Sequence, residues 1–226
     1  MTTFVLIHGA WHGAWCWDRL IPELERHGHS AVAVDLPMDD ASATFEDYAD
    51  AVLSQWPSGS DIAVVGHSLG GMVVPLVSAR RDVRVGVFLC SVVPNLDGLP
   101  WDDAPAMGLE DYGTETDEDG AIVFRSLEAA THVFYQDCAP EDAAWAFKQL
   151  RPLRNASLWD RPYPLKKWPA SRAAAIACQN DIAIYASYQR HCLRYRLGID
   201  VLELPGHHSP FLSRPGLLAD TLHALL

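Results

Sequence analysis

The stretch Ile62-Ala63-Val64-Val65-Gly66-His67-Ser68-Leu69-Gly70-Gly71 decides how this chain is read. Ile62 to Val65 is apolar at every position, which fits a strand covered on both faces, as in a parallel sheet. The next five residues read G-x-S-x-G, and a helical stretch from Leu69 to Ala79 follows. A turn this tight from strand to helix leaves no room for side chains beside the serine, hence Gly66 and Gly70. Ser68 is then held proud of the sheet on strained backbone, facing the unpaired N–H groups and partial positive charge of the helix N-terminus. The pentapeptide by itself is common by chance; set between strand and helix, it marks Ser68 as a nucleophile.

Outward from this point the same alternation repeats. Phe4–Ile7, Ala31–Val34 and Val85–Leu89 are short β-rich apolar runs, with helical stretches at Trp15–His27 and Phe45–Gln55. The pattern returns late, with strands at Ala173–Cys178 and Asp200–Leu204 and helices at Ile182–Leu193 and Pro215–Leu226. Such alternation predicts right-handed crossovers and an α/β fold built on an open, doubly wound, mostly parallel sheet. From Asn95 to Trp168 no clean strand appears, only acidic loops, prolines and helical stretches at Leu127–Gln136 and Glu141–Leu150. Residues 95–168 are therefore expected to form a helical cap inserted after the strand ending near Leu89, between core segments 1–94 and 169–226. Ligands in open α/β sheets bind beyond the carboxyl ends of the strands, so a cap there roofs the site.

A serine hydroxyl is a poor nucleophile until a base takes its proton, and that base needs a partner to orient it. The chain order expected here is serine, acid, histidine. Asp181 follows the strand Ala173–Cys178 within three residues, and Gly206-His207-His208 follows the last strand, so the residues alone leave both His207 and His208 open as the base. His8 and His67 flank the nucleophile and read as structural, whereas His27, His29 and His223 read as surface residues. Negative charge on an attacked carbonyl oxygen calls for two backbone N–H groups. Leu69, next after the nucleophile, and Ala10, in the loop His8-Gly9-Ala10 after the first strand, are the natural donors.

Composition narrows the class. The chain has 226 residues, 49% hydrophobic and 20% charged, with eight Trp, seven Tyr and seven Phe, far more apolar surface than a disordered chain carries. A formal net charge of −12 argues against a nucleic-acid partner. Eight acids and no base lie between Asp102 and Asp119, which reads as a solvated surface loop. No apolar run approaches the roughly 18 residues of a membrane span. Met1-Thr2-Thr3 runs into the first strand with no basic leader, and the five Cys show no C-x-x-C pair. Reduced, buried thiols and a cytoplasmic location are the expectation. Neither a dinucleotide G-x-G-x-x-G, a P-loop nor a His/Cys set at metal spacing is present, so no cofactor and no metal are expected.

With these residues in view, the chain resembles the α/β-hydrolases of the plant methylesterase and hydroxynitrile lyase group, including its bacterial esterase relatives. The likeness is carried by Phe4-Val5-Leu6-Ile7-His8-Gly9-Ala10-Trp11-His12-Gly13-Ala14-Trp15-Cys16-Trp17, by Gly66–Gly71, by Asp181-Ile182-Ala183-Ile184 and by His208-Ser209-Pro210-Phe211-Leu212. It implies an α/β-hydrolase fold and a catalytic set of Ser68, Asp181 and His208, with His207 where the group has Asp. The group's lyases resemble a His-Thr pattern near the first strand and carry Lys after the catalytic His; Gly9 and Ser209 stand there instead. The resemblance therefore implies a serine carboxylesterase acting on small apolar or aromatic esters through an acyl-enzyme, with a biosynthetic cyclase, lyase or acyl transferase on the same site as the alternative. A small-molecule ester is the expected partner, and the oligomeric state stays open, a homodimer included.

The cap is rich in aromatic residues, among them Trp101, Phe124, Phe134, Tyr135, Trp145, Phe147, Trp159, Tyr163 and Trp168. A pocket of such residues favours apolar or aromatic groups. Trp11, His12, Trp101, Phe134 and Trp145 are the expected substrate contacts. Glu128, His132, Tyr135 and Gln136 share helical spacing, a weaker pointer.

Overall fold

Each all-apolar run becomes a strand of one sheet, with Ala31–Val34 at its edge and mostly half-buried and the others inside it. The computed structural model describes Met1–Leu226. In chain order its elements begin β1 (Thr3–Ile7), α1 (Leu20–Arg26), β2 (Ser30–Val34), α2 (Phe45–Ser54), β3 (Ile62–His67), α3 (Val74–Ser78) and β4 (Val85–Leu89). A middle section holds β5 (Thr114–Thr116), β6 (Ile122–Phe124), α4 (Leu127–Phe134) and α5 (Pro140–Gln149). The chain closes with β7 (Ala173–Cys178), α6 (Ala186–Leu197), β8 (Leu202–Leu204), α7 (Pro210–Ser213) and α8 (Pro215–Ala224).

Six strands form one parallel sheet in the order β2-β1-β3-β4-β7-β8. Every residue of β3 and β4 is buried, which is why those runs show no polar alternation. Successive residues still point to opposite faces. Val5 and Ile7 pack with Phe45 and Tyr48 of α2 and with Leu76 of α3, while Phe4 and Leu6 pack with Leu24 of α1 and Leu222 of α8. Strand order reverses between β1 and β3, so the loops leaving these two strands diverge and open a crevice at their carboxyl ends. No helix is long and apolar enough to cross a membrane.

Several boundaries differ from expectation. The stretch Leu69–Ala79 is not one helix but a 3₁₀ turn, Ser68–Met72, followed by the short α3, whose first turn contains Pro75. Likewise Trp15–His27 divides into a 3₁₀ turn at Ala14–Trp17 and α1. The helix expected from Ile182 starts only at Ala186, because Asp181 Oδ1 accepts the Ile184 N–H and folds the intervening residues into turns. The acidic stretch is also more ordered than a loop. Thr114–Thr116 and Ile122–Phe124 pair antiparallel across a turn ending in Gly120, and Asp117 Oδ1 accepts the N–H groups of Asp119 and Ala121.

Candidate active site

Ser68 sits just past the end of β3 with φ at 53°, left-handed space that costs a residue with a Cβ about 1–2 kcal/mol. Tight packing holds it there. A Cβ on Gly66 would lie 2.4 Å from the Gly70 carbonyl oxygen, and one on Gly9 would lie 2.7 Å from Ser68 Cβ. The loop after β1 thus runs in contact with the serine, and this approach carries Ala10 to the same wall of the crevice as Leu69. The Ala10 N–H makes no backbone hydrogen bond. That of Leu69 lies in a first helical turn, where N–H groups have no intrahelical partner.

His208, in the loop after β8, brings its Nδ1 to 2.8 Å from Asp181 Oδ2, and both side chains are buried. An ionised carboxylate only accepts, so Nδ1 carries the proton and Nε2 is left as the acceptor. That Nε2 is buried without a protein partner. Asp181 is fixed in turn by the Ile184 N–H on its other oxygen, at 3.0 Å. Phe134 stacks on the His208 ring at 5.3 Å, and His67 packs on it at 4.5 Å. His207 does not take this role: its backbone N–H donates to Asp137 Oδ2, and its buried Nδ1 has no partner.

The histidines around Ser68 are kept uncharged by burial. Desolvation lowers His8 to about 4 and His12 to about 3, and holds His67 well below its ordinary value. His8 donates from Nδ1 to the Gly9 carbonyl at 2.8 Å and accepts the Leu36 N–H on Nε2 at 3.0 Å. His8 and His67 read as structural from sequence, and both tie loops around the serine in place, His8 through Leu36 and His67 through the His208 carbonyl.

The crevice encloses a cavity of about 170 Å³ in which eleven of twelve lining residues are hydrophobic and the twelfth is Ser68. Trp11 and Phe134 line it, together with Met107, Tyr112, Trp159 and Ile184. His12, Trp101 and Trp145 do not. His12 is buried behind the first loop, Trp101 lies 38% exposed in a surface turn, and Trp145 packs edge-on against Trp15 at 5.3 Å. Glu128 and His132 face solvent. Tyr112 escaped the sequence reading because it lies within the acidic stretch; its hydroxyl donates to the Ala183 carbonyl beside the cavity. A roomier groove lined by Val74, Gly86, Arg172 and Leu197 opens where β4 and β7 begin, at the end of the sheet away from Ser68. No group of three or more His, Cys, Asp or Glu is placed to hold a metal ion. All five cysteines are free, four of them buried.

A parallel sheet with a serine on the turn after its third strand, and an acid–histidine pair on later loops, defines an α/β-hydrolase, and residues 4–221 match the alpha/beta hydrolase family; the chain belongs to it. It is 29% identical over 248 residues to norfluorocurarine synthase 2 of a Strychnos species, covering 97% of this chain and 93% of that protein. To methylesterase 2 of Arabidopsis thaliana it is 29% identical over 257 residues, covering 98% and 95%. The crystal structure of polyneuridine aldehyde esterase superposes with a TM-score of 0.81 at 25% identity, covering 100% of this chain and 99% of that one. The likeness to plant methylesterases therefore extends along the whole chain.

Proposed function

We propose that this protein is a serine carboxylesterase that cleaves small esters with an apolar or aromatic acyl group. Ser68 Oγ attacks the ester carbonyl as its proton passes to His208 Nε2, and the N–H groups of Ala10 and Leu69 receive the oxyanion. His208 returns the proton to the departing alkoxide, which leaves as the alcohol, and the acyl group stays on Ser68. Water then gives a proton to His208 and attacks the acyl-enzyme, releasing the free acid and restoring Ser68. Asp181 holds the His208 tautomer and stabilises its cation throughout.

The observation that carries this reading is the buried His208, tied to Asp181 through one nitrogen and left with a free acceptor on the other. The cavity supports the acyl preference: at about 170 Å³ it compares with the ~150 Å³ apolar cavity that holds one benzene ring. It offers a substrate no cation, which disfavours acyl groups bearing a carboxylate. Methylesterases among the relatives make a methyl ester the natural first substrate. Methyl and p-nitrophenyl esters of benzoate and phenylacetate should be hydrolysed, and Ser68→Ala should abolish turnover. Equal turnover in that variant removes Ser68 from the mechanism.

The relatives named norfluorocurarine synthase favour a second reading, in which the same serine and histidine serve a biosynthetic step other than hydrolysis. Free acid as the product of an ester and thioester panel supports hydrolysis; a lactone or condensed ring supports the alternative. A cytoplasmic location and a small-molecule ester as partner, with no nucleic acid and no membrane, belong to the same proposal.

A further inference from the structure

The first loop is strained and needs holding. Trp11 has φ at 61°, and the Ala10 N–H can serve an oxyanion only while the peptides on both sides of the Ala10 Cα keep their orientation. In a trans peptide the carbonyl and N–H point opposite ways, so the Gly9 carbonyl bound to His8 Nδ1 fixes one side. The Ala10 carbonyl fixes the other through His12 Nδ1, at 2.9 Å. The carbonyl only accepts, so Nδ1 of His12 must carry the proton and Nε2 must accept. The donor to Nε2 comes from the segment between β4 and β7: the hydroxyl of Tyr135, the residue that caps α4 at its C-terminus, lies 2.9 Å away. Tyr135, His12 and the Ala10 backbone form one buried chain of hydrogen bonds with a single allowed direction.

We propose that Tyr135 is a positioning residue for ester cleavage, acting through His12 to aim the Ala10 N–H at the oxyanion, so that α4 takes part in building the catalytic core. This rests on the serine hydrolase reading above. Without the Tyr135 hydroxyl, Nε2 of His12 becomes a buried acceptor with no donor, and the other tautomer competes. That tautomer turns an Nδ1 lone pair toward the Ala10 carbonyl, which repels it and frees the loop to turn. Burial keeps the Tyr135 phenol protonated and His12 neutral, so the direction of the chain does not change with pH in the working range.

The test is a comparison of Tyr135→Phe, His12→Asn, His12→Leu and the Tyr135→Phe/His12→Asn pair, assayed with p-nitrophenyl acetate. Trifluoroacetophenone, which forms an oxyanion-bearing adduct with a catalytic serine, is the inhibitor. Losing an oxyanion donor outright costs about 10²–10³, and misaiming one should cost less, so Tyr135→Phe is expected to lower kcat about tenfold with KM within about twofold. Inhibition should weaken by the same factor. Asn keeps a donor near the Nδ1 position but does not reach Tyr135, so His12→Asn should retain more activity than His12→Leu and make Tyr135→Phe silent. If Tyr135→Phe does not fold, the two His12 variants decide. A Tyr135→Phe enzyme with kcat and inhibition unchanged overturns the proposal, as does an undiminished effect in the His12→Asn background or equal activity of His12→Leu and wild type. Absence of turnover in the wild-type protein instead overturns the hydrolase reading on which the proposal stands.

Discussion

His67 donates from Nε2 to the carbonyl oxygen of His208 at 2.9 Å, while the two rings pack 4.5 Å apart. The residue before Ser68 thus holds the backbone of the residue paired with Asp181. With its charge suppressed by burial, His67 makes this bond as a neutral ring.

Replacing His67 by Phe keeps a ring of similar size but leaves the His208 carbonyl without its donor. The variant should lose about 1–3 kcal/mol of stability by denaturant unfolding. Its kcat should fall more than its KM rises, because the base and not the substrate pocket is displaced. Unchanged stability would contradict the role given to this hydrogen bond.

Gly9→Ala should be severe. Its Cβ would lie 2.7 Å from Ser68 Cβ and 2.9 Å from His67 Nδ1, so the serine or the loop must move. Overpacking of this kind costs about 1–3 kcal/mol, and a displaced nucleophile should lower kcat/KM at least about 100-fold. Steady-state kinetics with p-nitrophenyl acetate measures this, and near-normal turnover would show that Gly9 does not press on the site.

Asp181→Asn keeps the shape of the side chain but removes the charge that fixes the His208 tautomer. A loss of about 10⁴ in kcat is expected with little change in KM, as for the equivalent change in other Ser-His-Asp enzymes. A loss below tenfold would mean that the pair at 2.8 Å is structural only.

Acid should destabilise the fold through its buried histidines. His8 and His12 titrate near 4 and near 3 in the folded protein, against 6.5 for an ordinary His. Between these limits the unfolded chain binds more protons than the folded one, so the contribution is intact above about pH 6.5 and is lost as pH falls toward the folded values. Each such group adds a slope of up to about 1.4 kcal/mol per pH unit within its window. Denaturant unfolding from pH 7.5 to 4.5 should show stability falling, and more shallowly in His12→Asn. Identical slopes in the two proteins would contradict the assignment.

What was legible in the sequence was what close packing imposes locally. Strands buried on both faces are apolar throughout, and the turn around Ser68 admits only glycine at Gly66 and Gly70, so the sheet and the turn that carries Ser68 were readable. So was the place of Asp181, just past the carboxyl end of a late strand. Between His207 and His208 the residues gave no preference; the choice depends on where the Asp181 carboxylate points. The β5–β6 hairpin was missed although Asp119-Gly120 before Ala121–Phe124 is a turn-and-strand signal, because the density of acids suggested a solvated loop. The late start of α6 was not readable at all. Residues 182–185 are held by Asp181 and by backbone bonds to Met107 and Leu109, contacts more than seventy residues away in the chain.

Intact-mass analysis after treatment with a fluorophosphonate tests the central claim most directly, since that reagent captures a serine only when a neighbouring base activates it. The account predicts a single phosphonyl adduct, mapped to Ser68, absent in Ser68→Ala and slowed at least about 100-fold in His208→Ala. An adduct that persists in Ser68→Ala, or a wild-type protein that stays unmodified, would contradict it.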